Sequence, residues 1–263
     1  MGRIDYLYDS GLARITLTSS SGTNPIDQPF VDELFAAVQR AQSDDAAVVL
    51  VCSDGKAFSV GGDIKSFASA EEPGRLLDSL ADQLHRSISE LQRMDAIVVS
   101  QVRGTAAGAG VGLAAAADIV LSAESARFVL AYTGIGFSPD GGASLLTTTL
   151  GLHRVLHLAL LNPVLTARQA QESGLVAQIH PDDDLEQATT TVVKQLLAGS
   201  RPAQAATKRL LREAALPSPE TALRQETLSI RTCAESPDGR EGIAAFVAKR
   251  PPSFPSVSPA ARS

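Results

Sequence analysis

The chain has 263 residues, the length of one large domain or of a domain with a tail. Hydrophobic residues make up 44% and charged residues 20%, so a substantial core can form. A net charge of −6, few aromatics and no Trp argue against a polyanion binder or a base-stacking platform, while a small phosphorylated ligand stays open.

Ile4 to Tyr8 and Ala13 to Leu17 alternate apolar and polar around Asp9-Ser10-Gly11, which predicts a hairpin. Thr18 to Gln28 reads as a loop. Phe30, Val31, Leu34, Phe35, Val38 and Ala41 recur at helical spacing, and Ala46 to Cys52 reads as a buried strand. Cys52 is then a small buried hydrophobe. Its one companion, Cys233, leaves no framework for disulfides or a thiolate metal site. The segment Lys56 to Lys65 carries Gly61-Gly62-Asp63, either a turn ending in a helix cap at Asp63 or a place where backbone approaches a ligand. Glu71 to Arg93 reads as one long amphipathic helix, with Leu77, Leu80, Leu84, Ile88 and Leu91 on one face and His85 half-exposed.

Ile97 to Val102 is a second buried strand, followed by Gly104, Gly108, Gly110 and Gly112 and a helix-favouring run, Ala114 to Ala117. A strand, a glycine turn and a helix point backbone N–H groups at a carboxylate, a phosphate or a developing oxyanion. Close packing of a helix on a sheet would also call for small residues. The spacing gives neither a G-x-G-x-x-G dinucleotide turn nor a phosphate loop, and Gly136 to Asp140 lacks the last glycine of a nucleophile elbow. A strand is expected at 118–121, a loop at 125–128 and a turn at 138–142. Helices follow at 144–161, broken at Gly151, and at 166–173, then a strand at 175–179. His153 and His157 stand four apart with no acidic partner in pattern, so no metal is expected. Helices at 185–197, 201–215, 220–234 and 236–249 complete the chain, with a break at Pro217-Ser218-Pro219 and a Pro- and Ser-rich tail from Arg250. The alternation of strands and helices thus occupies 1–199, and 200–263 is helical. With no long apolar run and a charged start, the protein is expected to be cytoplasmic, with no membrane or nucleic-acid partner.

Six segments in order resemble the enoyl-CoA hydratase/isomerase (crotonase) superfamily: 58–65, 104–113, 118–119, 126–128, 138–142 and 238–251. The resemblance implies an α/β fold, a spiral of ββα repeats with a C-terminal helical region, assembled as a homotrimer or a dimer of trimers. It implies an acyl-CoA thioester substrate, so coenzyme A comes with the substrate and no separate cofactor is expected. By motif position the backbone N–H groups of Gly62 and Ala109 hold the thioester oxygen, and Lys56, Ala57, Phe58 and Asp63 belong to the substrate site. So do Ile64, Gly108, Tyr132 and Gly136. Gly112 and Tyr132 stand where the hydratases of the superfamily carry their two glutamates, which disfavours ordinary hydration. Asp140 resembles the aspartate of the isomerase branch, which includes ring-opening isomerases of phenylacetate catabolism, and one base suffices for a 1,3 proton shift. The alternatives are Asp140 as an N-cap, a hydratase with relocated groups, and a CoA-binding paralogue without turnover.

Overall fold

The computed structural model describes residues 2–215 and 219–255. The expected break at Pro217-Ser218 and the end of the Pro- and Ser-rich tail lie outside the described residues. The chain opens with the hairpin β1 (Ile4–Asp9) and β2 (Leu12–Leu17), whose turn residues Ser10 and Gly11 both have positive φ, as a two-residue hairpin turn requires. Then follow α1 (Gln28–Ser43), β3 (Val48–Ser53), β4 (Ala57–Ser59), α2 (Ile64–Ser69) and α3 (Pro73–Arg93). Next come β5 (Ile97–Val102), β6 (Thr105–Ala107), α4 (Ala109–Ala115), β7 (Ile119–Ala123) and β8 (Arg127–Val129). Two short 3-10 turns lead into α5 (Leu146–Leu150), α6 (Leu152–Leu161), β9 (Leu165–Thr166), α7 (Ala167–Glu172) and β10 (Gln178–His180). The last helices are α8 (Leu185–Leu197), α9 (Arg201–Ala215), α10 (Pro219–Glu235) and α11 (Pro237–Val247).

Successive turns of the chain lay one strand in each of two sheets. One sheet runs β1-β2-β3-β5-β7-β10 and the other β4-β6-β8-β9, so β3–β4, β5–β6 and β7–β8 form repeated steps of a spiral. The strands from β2 onward are parallel in the first sheet, and β4, β6 and β8 are parallel in the second. A parallel strand covered on both faces reads as a continuous apolar run, which is why β3 and β5 stand out in the sequence. Alternation splits β3 cleanly: Val49 and Val51 join the main core, while Val48, Leu50 and Cys52 face α8.

Three boundaries differ from the sequence reading. The expected helix from 71 is preceded by α2, capped by Asp63, whose carboxylate accepts from the Lys65 amide. Pro73 then starts α3, since proline at the first helical position loses nothing. The helix expected over the alanine run starts earlier, inside the glycines. An added Cβ on Gly110 would lie 2.7 Å from the Ser59 carbonyl oxygen, so α4 is pressed onto β4 too tightly for a side chain there. His85 is not half-exposed: it is 6% exposed, under α10.

The C-terminal helices are tied to the spiral by a buried charge. Lys208 of α9 donates through Nζ to the carbonyls of Leu91 and Ala96, both at 2.8 Å, and pairs with Asp118 at 2.9 Å. Arg212 forks onto Oδ1 of Asp118, while Oδ2, the oxygen facing Lys208, also accepts from the Val98 amide. Lys208→Met leaves two buried carbonyls without a donor and is expected to cost about 3 kcal/mol, read as a lower urea midpoint. An unchanged midpoint would show that the ammonium is dispensable there.

Candidate active site

A cavity of about 490 Å³ opens where β4 and β6 end. These strands are parallel neighbours, so their exits, Gly61-Gly62 and Gly108-Ala109, leave the sheet side by side. Gly61 has φ 80° and lies against the second exit: a Cβ there would meet the Ala107 carbonyl oxygen at 2.7 Å and the Ala109 nitrogen at 3.5 Å. Only glycine permits both that φ and that approach. Ile26 donates to the Gly61 carbonyl and accepts from the Asp63 amide, which turns the amide of Gly62 away from Ile26. Ala109 is the first residue of α4, where an N–H has no partner within the helix. Among the described residues neither amide has a protein acceptor. Two free donors at the wall of one cavity are the parts of an oxyanion hole.

The segment 139–142 closes the same cavity from the other side. Gly141 and Gly142 both have positive φ, and a Cβ on Gly141 would sit 2.4 Å from the Cβ of Ala109. The loop therefore rests on Ala109, and the preceding residue, Asp140, lines the cavity while only 6% exposed. Asp140 is not an N-cap. The 3-10 turn Ala143–Leu145 begins at Gly142, with no side-chain cap bond. The task passes to Glu226 of α10, whose carboxylate accepts from the Gly142 amide at 2.7 Å and the Ser144 amide at 2.5 Å. A carboxylate at these orphan amides also suits the positive end of the helical turn.

Tyr132 lines the cavity and does more. Its hydroxyl donates to the backbone carbonyl of Asp140 at 2.7 Å, fixing the loop. Burial, with Asp140 and Glu226 nearby, pushes its phenol well above the ordinary range, so it stays neutral. Gly112, at the position of the first hydratase glutamate, has no room for a side chain: its Cβ would fall 1.7 Å from the Gly141 carbonyl oxygen. The 139–142 loop occupies that space.

Behind Asp140 lies a histidine that the sequence reading missed. His85 of α3 places Nε2 3.0 Å from Asp140 Oδ1 and 3.5 Å from Glu226 Oε2, close charge contacts without the alignment of a hydrogen bond. Its Nδ1 meets Thr227 Oγ1 at 3.1 Å. Burial alone would lower the imidazole, but the two carboxylates outweigh it and raise its pKa from 6.5 to about 9. Because the folded value is the higher, the stabilisation is complete below pH ~6.5 and is lost as pH rises through 9. The urea midpoint is expected to fall across that window, by up to about 3 kcal/mol in stability, and His85→Gln to flatten the fall. A wild-type curve already flat there would contradict the ion pair. The ligand atoms of His85, Asp140 and Glu226 lie within 4.8 Å of one another and could geometrically hold a cation. Glu226 already spends its oxygens on two amides, however, and the imidazole needs no metal to be satisfied.

Of the other expected substrate residues, Asp63, Ile64 and Gly108 line the cavity, with Lys65 beside them. Lys56, Ala57, Phe58 and Gly136 are absent from its described wall. Phe58 is wholly buried in the core, and Gly136 packs against the Asp238 carbonyl at the start of α11. Helices supply an apolar part of the remaining wall: Leu77, Leu80 and Leu84 from α3, Ile230 from α10 and Phe246 from α11.

Paired free amides beside a buried carboxylate are an arrangement that can stabilise negative charge on an oxygen next to a proton acceptor. The chain matches the enoyl-CoA hydratase/isomerase family over residues 8–257 and belongs to it. A probable enoyl-CoA hydratase of Rhodobacter capsulatus is 36% identical over 95% of this chain and 97% of its own. The trans-2-decenoyl-[acyl-carrier-protein] isomerase of Streptococcus mutans is 30% identical over 95% of this chain and 96% of its own. The crystal structure of an enoyl-CoA hydratase from Mycobacterium avium subsp. paratuberculosis superposes with a TM-score of 0.88 at 32% identity, over 96% of this chain and 98% of that one. The expected crotonase-like fold is therefore present, and the protein is an enzyme of this family, a hydratase or an isomerase. No described helix is long and apolar enough to cross a membrane.

Proposed function

We propose that the protein is an acyl-CoA isomerase that moves a double bond from the 3 to the 2 position by a single-base proton shuttle. One observation carries this reading. Of the two carboxylates on the described cavity wall, Asp63 caps α2, and Asp140 alone is left beside the free amides of Gly62 and Ala109. The thioester oxygen accepts from both amides. Asp140 takes a proton from C2 of the 3-enoyl chain, and the electron pair spreads over the thioester as a dienolate. The same carboxylic acid returns the proton at C4, leaving the conjugated 2-enoyl product. The largely apolar wall keeps water from the intermediate. Lys65 at the cavity supports a phosphate-bearing carrier at that mouth, and coenzyme A enters as part of the substrate. A cytoplasmic homotrimer or dimer of trimers fits the exposed stripe of Leu152, Leu156 and Leu160 along α6.

The experiment pairs two substrates with the purified protein. With trans-3-hexenoyl-CoA, conjugation of the product is expected to appear in the ultraviolet. With trans-2-hexenoyl-CoA, hydration is expected to be at least ~100-fold slower, since among the described residues no second carboxylate is placed to activate water. Fast hydration would overturn the isomerase reading.

A further inference from the structure

We propose that His85, locked between Glu226 and Thr227, is the positioning residue that holds Asp140 as a carboxylate in the resting site. This rests on the reading of Asp140 as the base, and its test separates the two.

The geometry assigns both ring protons. The Thr227 hydroxyl donates to the Leu223 carbonyl in its own helix, which leaves its lone pair to accept from His85 Nδ1–H. Nε2 faces two carboxylates, so it too carries a proton. The ring is an imidazolium, and Asp140 and Glu226 share it. Without that cation, two buried carboxylates would stand within 4.8 Å of each other, and one would take up a proton. Both oxygens of Glu226 are engaged as acceptors from the Gly142 and Ser144 amides, which leaves Asp140 as the carboxyl group with room for a proton, and a protonated Asp140 cannot start the reaction.

Glu226 has a second part. Once Asp140 carries the substrate proton, Glu226 still neutralises the imidazolium, so no lone buried cation is created in mid-cycle. The charged groups on the outer side of the α3–α10 seam are already paired. Arg86 bonds Asp82, Arg93 bonds Glu220, Arg224 bonds Asp78, and Glu90 accepts from Gln42. Tyr132, the remaining titratable group at Asp140, stays neutral. Asp140 and Glu226 are therefore the groups that set the charge of His85, and His85 is the cation that faces Asp140.

The test uses trans-3-hexenoyl-CoA and pH profiles of kcat/KM for the wild type, His85→Gln and Asp140→Asn. In His85→Gln the acidic limb is expected to move up by at least ~1 unit, with a loss of about tenfold at pH 6 that is recovered near pH 9. A role in packing alone would lower the rate equally at every pH. An unmoved limb, with Asp140→Asn inactive, overturns this proposal and leaves the base reading intact. Full activity in Asp140→Asn overturns both. The second readout needs no turnover and no His85 variant that folds. The chain has four histidines, so nitrogen-15 labelling of histidine resolves the His85 ring. It is expected to be doubly protonated at pH 7, with a midpoint near 9 that falls by about a unit or more in Asp140→Asn. A neutral ring at pH 7, or an Nε2 signal that changes on adding EDTA as a metal ligand would, overturns the proposal.

Discussion

Asp140→Asn is expected to lower kcat for 3-enoyl-CoA isomerisation by about 10³-fold, near 4 kcal/mol of transition-state stabilisation. The change keeps the shape of the side chain and removes its basicity. The backbone of the loop is held by groups the substitution does not touch, namely the Tyr132 hydroxyl on the Asp140 carbonyl and Glu226 on the amides of Gly142 and Ser144. The oxyanion donors are main chain and stay as they are. KM should therefore change little while kcat collapses, the split that marks the loss of an interaction made only in the transition state. Retention of more than about a tenth of the wild-type kcat would move the proton to another group.

The second large effect is expected at Gly112. Replacing it with Glu, the residue of the hydratase branch, should not create a hydratase. The added Cβ would overlap the Gly141 carbonyl oxygen at 1.7 Å, and that oxygen belongs to backbone, which cannot rotate aside. Even Gly112→Ala must push the loop away from α4. A cost of about 3 kcal/mol or more is expected, read as a lower urea midpoint, together with slower isomerisation as Asp140 is displaced. Gly112→Glu should be poorly soluble and inactive in hydration. A well-folded Gly112→Glu that hydrates 2-enoyl-CoA would show that the loop moves freely and that the site can take the two-carboxylate form.

The two glycine turns were legible because each depends on local chain, whereas Asp140 stood out only through the resemblance to the isomerase branch. A buried parallel strand announces itself as an apolar run, and a positive φ calls for glycine. That the two turns meet depends on the pairing of β4 with β6. Both are three-residue strands, too short to show periodicity, and the sequence reading placed a strand at neither. His85 and Glu226 were missed for a different reason. Helical spacing identifies a face, not what presses on it. A signal did exist. His85 follows Ala81 by four residues and precedes Ile88 by three, and all three are buried. Glu226 and Thr227 fall on the stripe of Leu223, Ile230 and Ala234. Polar groups on two apolar stripes implied that they face each other, but nothing local paired α3 with α10. The Asp140 cap reading failed on similar grounds, because the true capping carboxylate comes from 84 residues away.

The tether from Glu226 to the 139–144 loop also bears on truncation. The amides of Gly62 and Ala109 lie well ahead of Glu226 in the chain. The loop bearing Asp140 lacks its clasp without α10, and the cavity lacks Phe246 without α11. A chain shortened before α10 is therefore expected to keep both amides but to lose the clasp on the loop that carries Asp140.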